Sequence, residues 1–126
     1  MIFALMIPAM TASGTTAEQE SVCDQSVYYD ENLYISIAQI HEQLVSLSWP
    51  ELSPIMRQAR MEAQVVFQIK VSPSGIVCSV EFIGGNRLIL EPLLTPEIKK
   101  WKFRPDRPFW GLIAIRYVSG RGFRLL

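Results

Sequence analysis

The sequence has few of the residues that catalytic and metal-binding sites require. Its 126 residues include one histidine, His41, and two cysteines, Cys23 and Cys78. A structural zinc site needs four closely spaced ligands, which these three residues cannot supply. The glutamates form no paired-acid motif, and Gly84-Gly85 lacks the flanking residues of a phosphate-binding loop. The sequence therefore predicts no metal, no cofactor and no enzymatic activity, and His41 is interpreted as an ordinary histidine of a helix.

An excess of basic charge is also missing. Twelve lysines and arginines balance twelve acidic residues, so the formal net charge is zero. Nucleic-acid-binding domains usually carry a strong basic excess, and this composition predicts no nucleic-acid partner. One cluster of five cations, interleaved with aromatic residues, occupies residues 99–107. We interpret it as cations at a helix C-terminus beside core aromatics rather than as a nucleic-acid contact.

Residues 1–17 resemble an export signal. Residues 1–10 are almost purely apolar and residues 11–17 are small and polar, which is typical of an apolar region followed by a cleavage region. No Lys or Arg precedes the run, and the alternative is an apolar strand or buried helix. The run is too short to span a bilayer unless residues upstream are missing. The signal predicts a periplasmic or secreted protein, with residues 18–30 as a flexible leader.

The two cysteines leave two interpretations open. Cys23 and Cys78 could form one disulfide in an oxidising compartment. Alternatively, Cys78 is a small buried residue and Cys23 an unpaired thiol. The sequence does not show whether their Cα atoms lie within bridging distance.

A long first helix is predicted from apolar spacing. Five apolar residues from Leu33 to Leu47 recur at intervals of four, three, four and three, which is one face of an amphipathic helix. Trp49-Pro50 ends this pattern, because the residue before a proline is pushed away from the α region. The helix is therefore predicted over residues 31–48, covering one face of a sheet.

Two shorter helices follow in the sequence. Pro54 suits the first position of a helix over residues 54–61. Residues 90–101 are helical in composition but contain two prolines. That helix is predicted to begin either at Pro92 or after Thr95 as its cap.

Three strands are predicted from the alternation of apolar and polar residues. Residues 65–71 and 76–82 alternate on either side of a turn with proline and glycine, and form an antiparallel hairpin. Residues 112–118 form the third strand, which glycines within residues 120–122 interrupt. Residues 31–126 are therefore predicted to be one α+β domain, with a small three-stranded antiparallel sheet packed by helices.

Five pieces of the sequence occur in an order and spacing typical of one known domain family. They are residues 49–52 (WPEL), residues 57–62 (RQARME), the alternating residues 65–82, residues 98–105 (IKKWKFRP), and Gly111 before the closing strand. With these pieces the chain resembles the C-terminal domain of TonB-type energy transducers. The fold expected from this resemblance is the same small α+β domain.

The resemblance covers residues 49–126 and has some departures. Ala63 stands where the family usually has glycine, residues 84–86 replace a serine-rich turn, and Pro92 and Pro96 replace helix-forming residues. The membrane anchor and long proline-rich spacer of full transducers do not occur in this sequence. The resemblance therefore implies a stand-alone receptor-binding end, or a fragment.

The resemblance implies a binding module related to TonB-dependent transmembrane transport. Its expected partner is an extended segment of an envelope protein or outer-membrane receptor, which adds as a strand to the exposed edge of the last strand. Arg116 is expected to meet a carboxylate of that segment. The alternatives are a strand that only completes the sheet, and a structural or self-associating envelope protein, such as a homodimer, without a peptide ligand. The residues predicted to bind the segment are Gly111, Leu112, Ile113, Ala114, Ile115, Arg116, Tyr117 and Val118.

Overall fold

The structure is a computed structural model that describes residue 23 and residues 27–58 and 60–126. The predicted export signal and most of the predicted leader lie outside the described residues. No helix within the described ranges is long and apolar enough to cross a bilayer. In chain order the elements are a 3₁₀ turn (Glu31–Leu33), α1 (Ile37–Gln43), β1 (Leu44–Ser46), α2 (Pro54–Gln58), β2 (Glu62–Val71), β3 (Val77–Gly85), α3 (Arg87–Ile98), β4 (Lys102–Phe103), β5 (Phe109–Val118) and β6 (Gly122–Leu125).

The main sheet has four antiparallel strands rather than the three predicted, in the order β3-β2-β5-β6. β2 and β3 form the predicted hairpin, and Gly75 in its turn has a φ of 83°, which suits glycine. β2 pairs with β5 along its whole length, from Glu62 opposite Val118 to Val71 opposite Phe109. The fold class is therefore α+β, as predicted, with one more strand in the sheet.

The additional strand, β6, follows a tight turn that the sequence prediction interpreted as an interruption. Gly120 and Gly122 have φ angles of 85° and 82°, in the left-handed region that glycine enters without a steric penalty. The Arg121 amide donates to the Val118 carbonyl oxygen at 2.9 Å and closes the turn. The chain therefore reverses direction and pairs again with β5 over four residue pairs.

The helix predicted over residues 31–48 is wrong in extent, since α1 has only seven residues. Ser36 starts it with a capping box, in which the Ser36 hydroxyl accepts from the Gln39 amide and the Gln39 side chain accepts from the Ser36 amide. It ends at Leu44, where the backbone becomes extended and β1 begins to pair with β4. Of the predicted apolar stripe, only Ile40 is fully buried.

The third helix begins earlier than predicted. α3 starts at Arg87, so neither Pro92 nor Thr95 begins it, and both Pro92 and Pro96 lie inside. Each proline removes a backbone donor, at a cost of about 3 kcal/mol in a helix interior. Both prolines are exposed to solvent on the outer side of the helix.

Tertiary packing explains why α3 tolerates its prolines. Leu90, Leu94 and Ile98, four residues apart, are completely buried against the sheet. Burying a large aliphatic side chain stabilises a fold by about 1.5–3 kcal/mol. Burial of these three side chains therefore offsets the free-energy cost of the two prolines, which the helix propensity of the other residues would not offset.

The core lies between one face of the sheet and the helices. Trp101, three residues after the end of α3, is 1% exposed, and its indole N–H donates to the Ser48 carbonyl oxygen at 2.9 Å. Trp49 meets it edge-on, with ring centroids 5.4 Å apart. Packing against this face fixes which side chains of β5 can reach a ligand.

Candidate binding site

The predicted binding strand, Gly111–Val118, lies inside the sheet and not at its edge, which corrects the sequence prediction. It is part of β5, and β2 pairs with one side of β5 along all ten residues. β6 pairs with the other side, opposite residues 115–118. The prediction was wrong because it ended the sheet at the glycines that build the β5–β6 turn.

Backbone contacts cover the outer side of β5 beyond β6 as well. The Leu126 amide donates to the Ala114 carbonyl oxygen at 2.8 Å, and the Ile35 amide donates to the Trp110 carbonyl oxygen at 3.0 Å. Tyr34 also forms a parallel bridge with Trp110. An incoming strand that pairs with this side of β5 at Trp110 or over residues 114–118 therefore replaces a segment that already covers it.

The eight predicted residues divide between the two faces of the sheet. Gly111, Ile113, Ile115 and Tyr117 are buried on the core face, where the Tyr117 ring contacts Phe123 of β6. The alternate residues are half-buried on the face opposite the core. These residues are Leu112, Ala114, Arg116 and Val118.

Gly111 has a packing role rather than a binding role. A Cβ atom at this position would lie 2.5 Å from the Ile40 Cδ1 atom and 2.9 Å from the Ile35 carbonyl oxygen. Real Cβ atoms do not approach backbone and side-chain atoms this closely. Gly111 therefore allows α1 and the segment before it to lie directly against β5.

β6 is held to the domain by a small set of aromatic and polar contacts. The Phe123 ring stacks on Trp49, with centroids 5.4 Å apart, and is tilted against Tyr117 at 4.9 Å. At the end of the strand, His41 Nε2 lies 3.0 Å from the Leu126 carbonyl oxygen. Phe123 remains only half-buried. β6 is thus a short strand, with no fully buried side chain, on a long and well-anchored one.

Arg116 borders an open cleft at the end of the sheet. Its guanidinium forms an ion pair with Glu62 of β2, in which the Arg116 side chain is half-buried and the Glu62 side chain is exposed. Across the other strand boundary, Arg116 lies directly opposite Arg124 of β6. The cleft has a volume of about 480 Å³, and Arg121 and Phe123 also line it. Four charged residues line this cleft, namely Glu62, Arg116, Arg121 and Arg124.

The two cysteines lie at the opposite edge of the sheet. Cys23 and Cys78 of β3 form a disulfide, with Cα atoms 5.5 Å apart. Tyr29 donates its hydroxyl proton to the Val71 carbonyl oxygen of β2, and the Asp30 carbonyl oxygen accepts from the Trp110 indole N–H of β5. Partial burial raises the pKa of the Tyr29 hydroxyl. The disulfide and these contacts attach the segment before α1 to the sheet.

Other polar groups of the described residues have structural roles. The Ser48 hydroxyl donates to the Glu97 carboxylate at 2.6 Å and lowers its pKa, which joins the segment after β1 to α3. No group of three or more His, Cys, Asp or Glu side chains that could hold a metal ion occurs among residues 27–58 and 60–126. The basic cluster of residues 99–107 has its aromatic members, Trp101 and Phe103, in the core.

Comparison with known proteins adds no assignment: no protein-family model matches the chain, and no curated protein matches it. The function must therefore be argued from the site itself. The feature that sequence reasoning missed is β6. Its signal was present, since Phe123 and Leu125 alternate with Gly122 and Arg124 directly after a glycine-rich turn.

Proposed function

We propose that the protein is a non-enzymatic binding module of the cell envelope, similar to the TonB C-terminal domain, that captures an extended segment of an envelope protein or outer-membrane receptor. The segment replaces β6 and pairs with β5 over residues 111–118. The observation that carries this proposal is the mismatch between the two strands. β5 has ten residues, whereas β6 has four.

The exchange is balanced in backbone hydrogen bonding. The backbone donors and acceptors of β5 that β6 leaves unpaired are paired again by the incoming strand. The net gain in binding free energy therefore comes from additional strand pairing and from side-chain contacts. An incoming segment longer than β6 can continue beyond Ala114 towards Trp110, provided that it also displaces Leu126. Longer pairing favours the partner over the resident strand.

Contacts between the pieces that carry the family resemblance support a TonB-like domain. Trp49, from the first piece, packs against Trp101, from the fourth, and also against Phe123 of β6. One aromatic cluster thus connects the residues after α3 to β6, the strand that the incoming segment replaces. The disulfide between Cys23 and Cys78 supports export, because such bonds persist in oxidising compartments.

A covalent lock on β6 tests the proposal. Arg116 and Arg124 are opposite each other, so cysteines at both positions can be joined by a disulfide. We expect the oxidised Arg116→Cys/Arg124→Cys variant to lose capture of an outer-membrane receptor from solubilised envelope extract. Mass spectrometry identifies the captured protein and verifies that the Cys23–Cys78 bond is unchanged.

The matched control is the Arg116→Ser/Arg124→Ser variant, which lacks the same two guanidiniums but leaves β6 free. This control should still capture the receptor, with weaker affinity. Equal capture by the locked and unlocked variants would show that β6 does not have to leave. Circular dichroism of both variants verifies that the domain is folded.

Self-association is the second candidate function. A strand that can leave its own domain can also be seated on a second copy, and the turn at Ser119–Arg121 would serve as the hinge. In that case sedimentation velocity should show a dimer that increases with concentration and disappears in the locked variant. A monomer at all concentrations would contradict this candidate while leaving peptide capture in place.

A further inference from the structure

The position opposite Arg116 indicates which residue a replacing strand should carry; this inference rests on the proposed function. In β6 that position is Arg124. Both residues lie on the face of the sheet opposite the core, since their neighbours Ile115 and Tyr117 are buried. Like charges directly opposite each other in adjacent strands destabilise the pairing. The resident strand therefore has an unfavourable residue at this one position.

Acidic groups compensate little of the positive charge near this pair. Glu62 pairs with Arg116, whereas the side chains of Arg121 and Arg124 make no hydrogen bond or ion pair within the part of the chain that the structure describes. Residues 107–126 contain four arginines and no acidic residue, although the whole chain is neutral. Three of those arginines border the same cleft. The end of the sheet therefore has a surplus of positive charge that a ligand can neutralise.

The positions on either side of Arg124 require apolar residues. Phe123 lies opposite Tyr117, and Leu125 lies opposite Ile115. Phe123 and Leu125 pack against the core from the edge of the sheet. A replacing strand that left these positions polar would expose part of the core to water.

We propose that the segment captured by β5 carries an acidic side chain opposite Arg116, between apolar side chains opposite Tyr117 and Ile115. A carboxylate at that position can accept a bidentate hydrogen bond from a guanidinium. In the free protein, repulsion between Arg116 and Arg124 weakens the pairing of β6 with β5 and so lowers the free energy needed to replace β6. The partner expected for β5 is thus an extended segment with an acidic residue at this position.

Peptides with the sequence of residues 119–126 test the inference on the full chain. Three peptides differ only at the position of Arg124, with Arg, Gln or Glu, and their binding is followed by fluorescence anisotropy. We expect the Glu peptide to bind on the order of tenfold more tightly than the Arg peptide, with the Gln peptide between them, because opposite charges replace like charges. The order should reverse on the Arg116→Glu variant of the full chain.

A charge change elsewhere provides the matched control. Arg107 is exposed in the loop before β5, so Arg107→Glu changes the net charge as Arg116→Glu does without altering the pairing position. The Arg107→Glu variant should keep the preference for the Glu peptide. Equal affinities for all three peptides on the wild-type chain would overturn the inference and leave strand exchange intact. Failure of all three peptides to bind at millimolar concentration would overturn strand exchange itself.

Discussion

Replacing Trp101 by alanine is expected to lower the free energy of unfolding by about 3–5 kcal/mol. The side chain is 1% exposed and lies where α3 meets the sheet. It also donates to the Ser48 carbonyl oxygen and packs edge-on against Trp49. The substitution removes the buried apolar surface, the hydrogen bond to Ser48 and the ring contact with Trp49. It also leaves a cavity between α3 and the sheet. Urea unfolding followed by circular dichroism measures the loss.

Two substitutions calibrate that experiment. Trp101→Phe retains most of the apolar volume but not the indole N–H, so it should cost less than Trp101→Ala. Tyr28 is 81% exposed, and Tyr28→Ala should change stability by less than about 0.5 kcal/mol. A Trp101→Ala variant as stable as Tyr28→Ala would contradict the central place of Trp101 in the core.

Loss of the Cys23–Cys78 disulfide is expected to have an effect of similar size. The bond joins residues separated by 55 positions, and restricting an unfolded loop of that length stabilises the folded state by about 4 kcal/mol in the chain-entropy model. The Cys23→Ser/Cys78→Ser variant should therefore unfold at a much lower urea concentration. Reduction of the wild-type protein should produce the same shift.

The comparison between reduction and substitution distinguishes stabilisation by the cross-link itself from stabilisation by the noncovalent contacts of the same segment. If the cross-link itself stabilises the fold, the reduced wild-type protein and the double variant unfold together. A shift of less than about 1 kcal/mol would mean that the contacts of Tyr29 and Asp30 fix this segment without the bond.

The hairpin of β2 and β3 could be predicted from the sequence because two local signals agree. Apolar residues alternate on both sides of the turn, and Gly75 has the positive φ that the turn requires. Each residue of this segment takes the structure that its own neighbourhood favours. Because the local signals agree, the hairpin can be predicted without knowledge of the rest of the fold.

The first and third helices could not be predicted correctly, for opposite reasons. Apolar spacing favoured a long first helix, but the Ser36 capping box and the pairing of β1 with β4 restrict it to seven residues. In α3 the prolines argued for a late start, but burial of Leu90 and Leu94 extends the helix around them. In α3 tertiary contacts outweigh local propensity, whereas in α1 a local capping signal fixes the start and the tertiary pairing of β1 fixes the end.

The candidate site was predicted in part. The sequence identified the strand that includes Arg116, but it did not show that β6 covers that strand. The alternation of Phe123 and Leu125 indicates a strand, but the prediction interpreted Gly120 and Gly122 as an interruption rather than as a turn that reverses the chain. The charge opposition of Arg116 and Arg124 depends on the register between β5 and β6, which only the structure defines.

Amide hydrogen exchange of the full chain tests most directly whether β6 is replaceable. The Arg124 amide, which lies within β6 opposite Arg116, reports on β6, and the amides of Val65 and Ile69 in β2 report on the sheet. If β6 opens locally, the Arg124 amide exchanges at least a hundredfold faster than the β2 amides, which corresponds to about 2.7 kcal/mol of difference in opening free energy. Equal protection of Arg124 and β2 would mean that β6 leaves only when the whole domain unfolds, and would contradict capture by strand exchange.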